Sequence, residues 1–168
     1  LSYGGSLART EATGYGLLYF TEEMLKANGK SFKDQTVVIS GSGNVAIYAT
    51  KKATEFGAKV VALSDSNGYI YDPDGIDLPV VQQIKEVERG RIKEYVDRTS
   101  HKNATYTEGC SGIWSIKCDI ALPCATQNEI DADSAKKLAA NGCYAVSEGA
   151  NMPSTPEAID VYFENKML

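Results

Sequence analysis

VVISGSGNVAIYATKKATEFGAKVVALSDSNG, residues 37–68, carries a strand–turn–helix–strand unit in one uninterrupted run. Thr36 to Ser40 is a short β-branched run suited to a strand buried on both faces. Asn44 to Phe56 repeats apolar residues at helical spacing in Val45, Tyr48, Ala49 and Ala53, and Gly57 stops it. Lys59 to Leu63 reads as a second buried strand. Between the first strand and the helix, Gly41-Ser42-Gly43-Asn44-Val45-Ala46 fits G-x-G-x-x-A, the turn that seats a dinucleotide pyrophosphate. Gly41 permits the tight turn, Gly43 clears the approach of the phosphates, and Ala46 lets helix and strand pack closely. The first helical turn, with Asn44 and Val45, presents unpaired N–H groups and a positive dipole end. Asp65, after the second strand, stands where a carboxylate would accept both ribose hydroxyls of NAD; the competing reading is an aspartate that only caps the Ser66-Asn67-Gly68 turn.

Outward from this unit, residues 12–28 read as a helix through Leu17, Phe20, Met24 and Leu25, closed by Asn28-Gly29. Gly29-Lys30-Ser31 resembles the end of a phosphate-binding P-loop, but Met24 occupies the place of its first glycine. Tyr69 to Tyr71 is a short extended piece between two turns, Asn67-Gly68 and Asp72-Pro73-Asp74-Gly75. From Pro79 to Arg98 one amphipathic stripe runs through Val80, Ile84, Val87, Arg91/Ile92 and Tyr95, interrupted by Gly90, while residues 99–115 are polar and weakly patterned. A strand at Cys118 to Leu122, a helix at Ala132 to Asn141, a strand at Cys143 to Val146 and a helix opening at Thr155-Pro156-Glu157 complete the chain. The alternation predicts an α/β, Rossmann-like doubly wound fold with a mostly parallel sheet, helices on both faces and a single domain over residues 1–168. Two stretches at strand carboxyl ends, 121–128 (ALPCATQN) and 147–153 (SEGANMP), offer hydroxyls and amides as either ligand contacts or plain loop structure.

The 168 residues suffice for one well-buried core, and 43% hydrophobic with 23% charged residues is an ordinary globular composition. A net charge of −5 gives no footprint for nucleic acid or an anionic membrane surface, and no apolar run reaches membrane-spanning length. Cys110, Cys118, Cys124 and Cys143 form no C-x-x-C pair, and the single histidine, His101, has no metal-ligand spacing, so free thiols in a reducing cytoplasm are expected. The start at Leu1 suggests a piece of a longer protein.

Four stretches taken together, RTEATGYG (9–16), SGSGNVA (40–46), LPCATQNE (122–129) and EGANMP (148–153), resemble the cofactor-binding domain of hexameric glutamate dehydrogenases of the bacterial small-subunit type. The resemblance implies interconversion of L-glutamate with 2-oxoglutarate and ammonia, the hydride passing between glutamate and NAD or NADP. It also implies a homohexameric cytoplasmic parent with no nucleic-acid or membrane partner. By it, Thr13, Ala125, Thr126 and Asn151 contact the nicotinamide half, Asn44 stands at the pyrophosphate turn, and Arg9 edges the substrate cleft. The family's catalytic lysine and aspartate fall in a segment preceding the matched region. No catalytic residue is therefore expected within this chain, which should bind cofactor without turning over glutamate.

On the cofactor, Asp65 alone favours NAD, whereas Ser40, Ser66 and Lys85 resemble the residues of NADP-using members of the family. A hydroxyl and an ammonium are what a 2′-phosphate requires, so NADP is favoured over NAD. The alternatives are the cofactor domain of a leucine, phenylalanine or valine dehydrogenase, and a catalytically silent nucleotide-binding regulatory module.

Overall fold

The computed structural model describes residues 11–168, and Arg9 of the expected site lies outside them. Six strands form one mixed sheet: β1 (Thr36–Ile39), β2 (Lys59–Ser64), β3 (Gly68–Tyr71), β4 (Thr105–Glu108), β5 (Ile120–Leu122) and β6 (Ala145–Val146). Their spatial order is β4-β3-β2-β1-β5-β6. The pairs β1–β2, β1–β5 and β5–β6 are parallel, while β2–β3 and β3–β4 are antiparallel. The sheet is therefore mixed, with three of its five strand pairings parallel. The turn at 65–68 returns the chain directly beside β2, with Ser64 opposite Tyr69. Asp65 N–H closes that turn on the carbonyl of Gly68 at 2.9 Å. β4 falls within the stretch that carries no apolar pattern, because its four residues are exposed or half-buried on a sheet edge.

Helices cover both faces. Val37 and Ile39 of β1 pack on one side with α1 (Ala12–Ala27) and α2 (Asn44–Glu55). Val38 and Ala121 point to the other side, where Trp114, α5 (Ala132–Ala140) and α6 (Pro156–Glu164) close the second core. The register slips by one residue in β2, where Val37 faces Val60 and Val38 faces Ala62. As expected at a bulge, consecutive Val61 and Ala62 then both serve the second core. Burying side chains such as Leu18, Ile39, Ile47 and Leu63 contributes roughly 1.5–3 kcal/mol each. α1 approaches α2 so closely at Gly14 that an added Cβ would lie 2.8 Å from Ala49 N.

The stripe at 79–98 is not one helix. It breaks into α3 (Leu78–Gln82), a π-helical turn (Gln83–Val87), a 3₁₀ turn (Ile92–Glu94) and α4 (Tyr95–Arg98). Val81, Ile84, Ile92 and Tyr95 are buried, whereas Val87 is 68% exposed. Arg89 takes a left-handed φ of 54°, and Gly90 N–H closes the turn on Ile84 O at 2.7 Å. The chain thus leaves the helical path before Arg91.

Candidate functional site

The site grows from the end of β1. Gly41 adopts φ 88°, a conformation that disfavours a side chain, and an added Cβ would lie 3.0 Å from the Cys124 carbonyl. Gly41 N–H donates to Ser64 Oγ at 2.8 Å, tying the ends of β1 and β2 together. Next to it, a Cβ on Gly43 would meet nothing within 4 Å, so the chain is open to a close ligand there. α2 starts at Asn44 with no side-chain cap, whereas α5 and α6 are capped by Asp131 and Thr155. Its first N–H groups are left for water or an anion. β1 sits between β2 and β5, the point where the chain switches direction across the sheet. In open α/β sheets, that is where ligands bind.

Two cavities open at this end. The larger, about 650 Å³, is lined by Gly41, Gly43, Asp65, Ser66, Ala125 and Thr126 of the expected residues, together with Trp114 and Glu129. The smaller, about 530 Å³, brings together Thr13, Val45, Ala125, Thr126 and Asn151. Residues 124–127 line both, so the two cavities adjoin along that loop and are together called the cleft. Nine of the twelve expected cofactor residues within the described chain thereby meet in one place.

The other three do not line it. Asn44 is exposed at the first position of α2. Ser40 is 1% exposed, and its hydroxyl accepts Cys124 N–H at 2.9 Å beside the Glu129 carboxylate. Lys85 Nζ donates to the carbonyl of Gly90 at 3.1 Å instead of facing the cleft. The cation at the Asp65 end is Arg91. Its Nη2 donates to Ser66 Oγ at 2.7 Å, and its Nε lies 3.7 Å from Asp65 Oδ2. Asp65 also accepts N–H groups from Asn67 at 2.8 Å, Gly68 at 3.2 Å and Ile92 at 3.1 Å. Its side chain is 5% exposed, and the bonds that cap the 65–68 turn are formed. Ribose hydroxyls would find little of its acceptor capacity free.

Two residues of this cleft, Trp114 and Glu129, and Arg91 bonded to its Ser66 carried no site assignment from sequence. Arg91 read as part of a helical stripe, and nothing in the sequence signals the left-handed Arg89 that redirects it. Trp114 lay in the weakly patterned stretch. Glu129 stood inside a recognised motif, yet its role depends on folding back: Oε1 accepts Ala125 N–H at 3.1 Å. Burial raises the pKa of Glu129 above the usual carboxylate range, against the opposing donors from Ser40, Ala125 and Thr126. Burial also pushes the Cys124 thiol up, which makes it a poor nucleophile. The described residues contain no group of three or more side chains that could hold a metal ion.

This fold and cleft define a class, and residues 4–168 match the family model described as Glutamate/Leucine/Phenylalanine/Valine dehydrogenase. The chain belongs to that family. It is 56% identical over 171 residues to the NAD(P)-specific glutamate dehydrogenase of Xylanibacter ruminicola, covering all of this chain and 38% of that protein. It is 52% identical over 171 residues to the NADP-specific glutamate dehydrogenase of Helicobacter pylori strain J99, covering 99% of this chain and 38% of the relative. Among solved structures, Plasmodium falciparum glutamate dehydrogenase superposes with a TM-score of 0.90 at 48% identity, over 99% of this chain and 36% of that one. The chain thus spans well under half the length of the curated relatives it matches.

Proposed function

We propose that this chain is the dinucleotide-binding domain of a glutamate dehydrogenase, a Rossmann-like unit that holds NADP in preference to NAD. The observation that carries the reading is the uncapped N-terminus of α2, opening beside Gly41 and Gly43 into a cleft at the β1/β5 switch point. An anionic pyrophosphate is stabilised there by N–H donors and the helix dipole. At one end Ser66 and Arg91 supply a hydroxyl and a guanidinium, the pair a 2′-phosphate requires. At the other, Thr13, Ala125, Thr126 and Asn151 border the smaller cavity, suited to an uncharged carboxamide and ribose. The bound nicotinamide supplies hydride transfer, and this chain's own residues fix its position without donating a reacting group.

The substrate, L-glutamate interconverted with 2-oxoglutarate and ammonia, follows from the names of the similar proteins. So does NADP as the favoured cofactor, since one relative is called NADP-specific and another NAD(P)-specific. A homohexameric, cytoplasmic parent belongs to the same proposal, and no helix among the described residues is long and apolar enough to cross a membrane. Titrating the chain with NADPH and with NADH, following the fluorescence of its single tryptophan, Trp114 on the cleft wall, tests the binding. Saturable quenching by both, tighter for NADPH, is expected; no binding of either would end the reading. For the longer protein, faster turnover of leucine, phenylalanine or valine than of glutamate would reassign the substrate.

A further inference from the structure

We infer that Glu129 is a positioning residue: its carboxylate latches the loop at 124–128 into the shape that joins the two cavities, and so sets the affinity of the cleft for a dinucleotide. The inference rests on the dinucleotide reading above and extends it to a residue outside the expected ligand set.

The loop is exposed over Ala125 to Asn128, yet it forms the wall common to both halves of the cleft. Three hydrogen bonds hold it. Cys124 N–H donates to Ser40 Oγ at 2.9 Å, and Asn128 N–H donates to Met152 O at 3.0 Å. Between these anchors, Ala125 N–H donates to Glu129 Oε1 at 3.1 Å, and the Thr126 N–H lies next to the same carboxylate. Ser40 links the two sets, since its hydroxyl accepts from Cys124 and lies beside the Glu129 carboxylate. The buried hydroxyl expected to touch a phosphate is instead the base of the latch. Among the described residues no cation pairs with Glu129, so N–H and O–H donors alone carry its charge. Backbone amides donate well to a carboxylate and less well to a carboxylic acid or a carboxamide. Protonation of this one group therefore loosens the middle of the loop while leaving both anchors in place.

Burial raises the point at which that proton is taken up, which brings it toward neutral pH. The groups facing Glu129 and the cleft from neighbouring elements are Asp131 at the head of α5, Cys124 in the loop, Tyr162 on α6, Glu148 after β6, Cys110, and Asp65 with Arg91. Asp131 is held low by the Ser134 N–H, and burial holds the Cys124 thiol and the Tyr162 phenol high. All of these are retained in Glu129→Gln, so their titration cancels in a comparison of the two chains.

The test uses NADH, which has no 2′-phosphate to titrate, as the probe. Between pH 8 and pH 5 the native chain is expected to lose NADH affinity as pH falls, with Glu129→Gln weaker at pH 7.5 and nearly flat across the range. Amide exchange supplies a second measurement free of ligand. Protection of the Ala125 and Thr126 amides should fall with pH in the native chain, with that of Asn128 unchanged, and should be low throughout in Glu129→Gln. Parallel pH profiles of affinity in the two chains, or protection of Ala125 and Thr126 indifferent to pH, overturn the latch. If NADH binds at no pH while protection falls as described, the dinucleotide reading fails, and with it the link from latch to affinity. The exchange experiment on the native chain stands even if the variant folds poorly.

Discussion

Asp65 and Asp72 stand at the two ends of β3, and each ties that strand to the broken segment between residues 83 and 101. Asp72 is completely buried, with Oδ2 accepting the Tyr95 hydroxyl and lying 2.7 Å from His101 Nδ1, while Oδ1 accepts Asp74 N–H at 3.0 Å. Burial raises the pKa of the Tyr95 phenol, which keeps it a donor, and its oxygen in turn accepts Asp77 N–H at 2.8 Å. Everything that end offers is used inward. Asp65 also spends its carboxylate on backbone N–H groups, but its remaining partner, Arg91, is 45% exposed by side chain at the edge of the cleft. One aspartate is tied wholly into the fold, and the other pairs with a half-exposed cation. Residue type alone does not separate them; the partners do.

The largest effect should come from the closed end. Asp72→Ala removes the acceptor of a buried hydroxyl and of the His101 ring together, and leaves a small cavity. Unfolding free energy should drop by about 3 kcal/mol, read as a lower urea midpoint at unchanged slope. A loss similar to that of an exposed aspartate such as Asp97 would refute the role given to Asp72. The open end should respond in binding rather than in stability. Arg91→Ala should weaken NADPH ~tenfold, since a charge-assisted contact contributes about 1.5 kcal/mol, and should leave NADH nearly unchanged. Equal losses for the two cofactors would mean that Arg91 acts on the loop and not on a phosphate.

The same contrast explains what the sequence revealed. β1, α2 and β2 were legible because their apolar residues recur at fixed periods and the glycines sit at their junction. Gly41, Gly43, Ala125, Thr126 and Asn151 could be placed on the cleft because strand carboxyl ends are where open α/β sheets bind ligands. β4 left no signal, since Thr105 to Glu108 are a polar edge. Arg91 was hidden by a periodicity that continues on paper through Arg89, where the backbone turns left-handed. Ser40 and Lys85 do not line the cleft for a related reason. A hydroxyl and an ammonium near a phosphate site in sequence had nearer partners in space, the Cys124 and Glu129 pair for one and the Gly90 carbonyl for the other.

Ser66→Ala sharpens the reading of the open end. Ser66 both holds Arg91 by a 2.7 Å bond and is itself exposed, so its removal frees the guanidinium and deletes a neutral donor. NADPH affinity should fall ~threefold, in line with about 0.7 kcal/mol for one neutral hydrogen bond. A loss as large as that of Arg91→Ala would show that the guanidinium works only while tethered.

The smallest effect, and the one whose sign is most informative, concerns pH at the closed end. The hydrogen bond to Asp72 raises the pKa of His101, with Asp72, Asp77 and Asp74 adding electrostatic support against desolvation. A histidine whose folded pKa lies above its unfolded value binds its proton more tightly when the chain is folded. Its contribution is then fully present below the ordinary histidine pKa of ~6.5 and is lost as pH rises through the folded value. Between pH 6 and 8.5 the urea midpoint of the native chain should fall relative to that of His101→Asn, which carries no titrating ring. Asp72, Asp74, Asp77 and Tyr95 remain in both chains, so the difference isolates the imidazole. A difference that grows with rising pH would show that the ring is neutral when folded, and that Asp72 is held by the Tyr95 hydroxyl and backbone N–H groups alone.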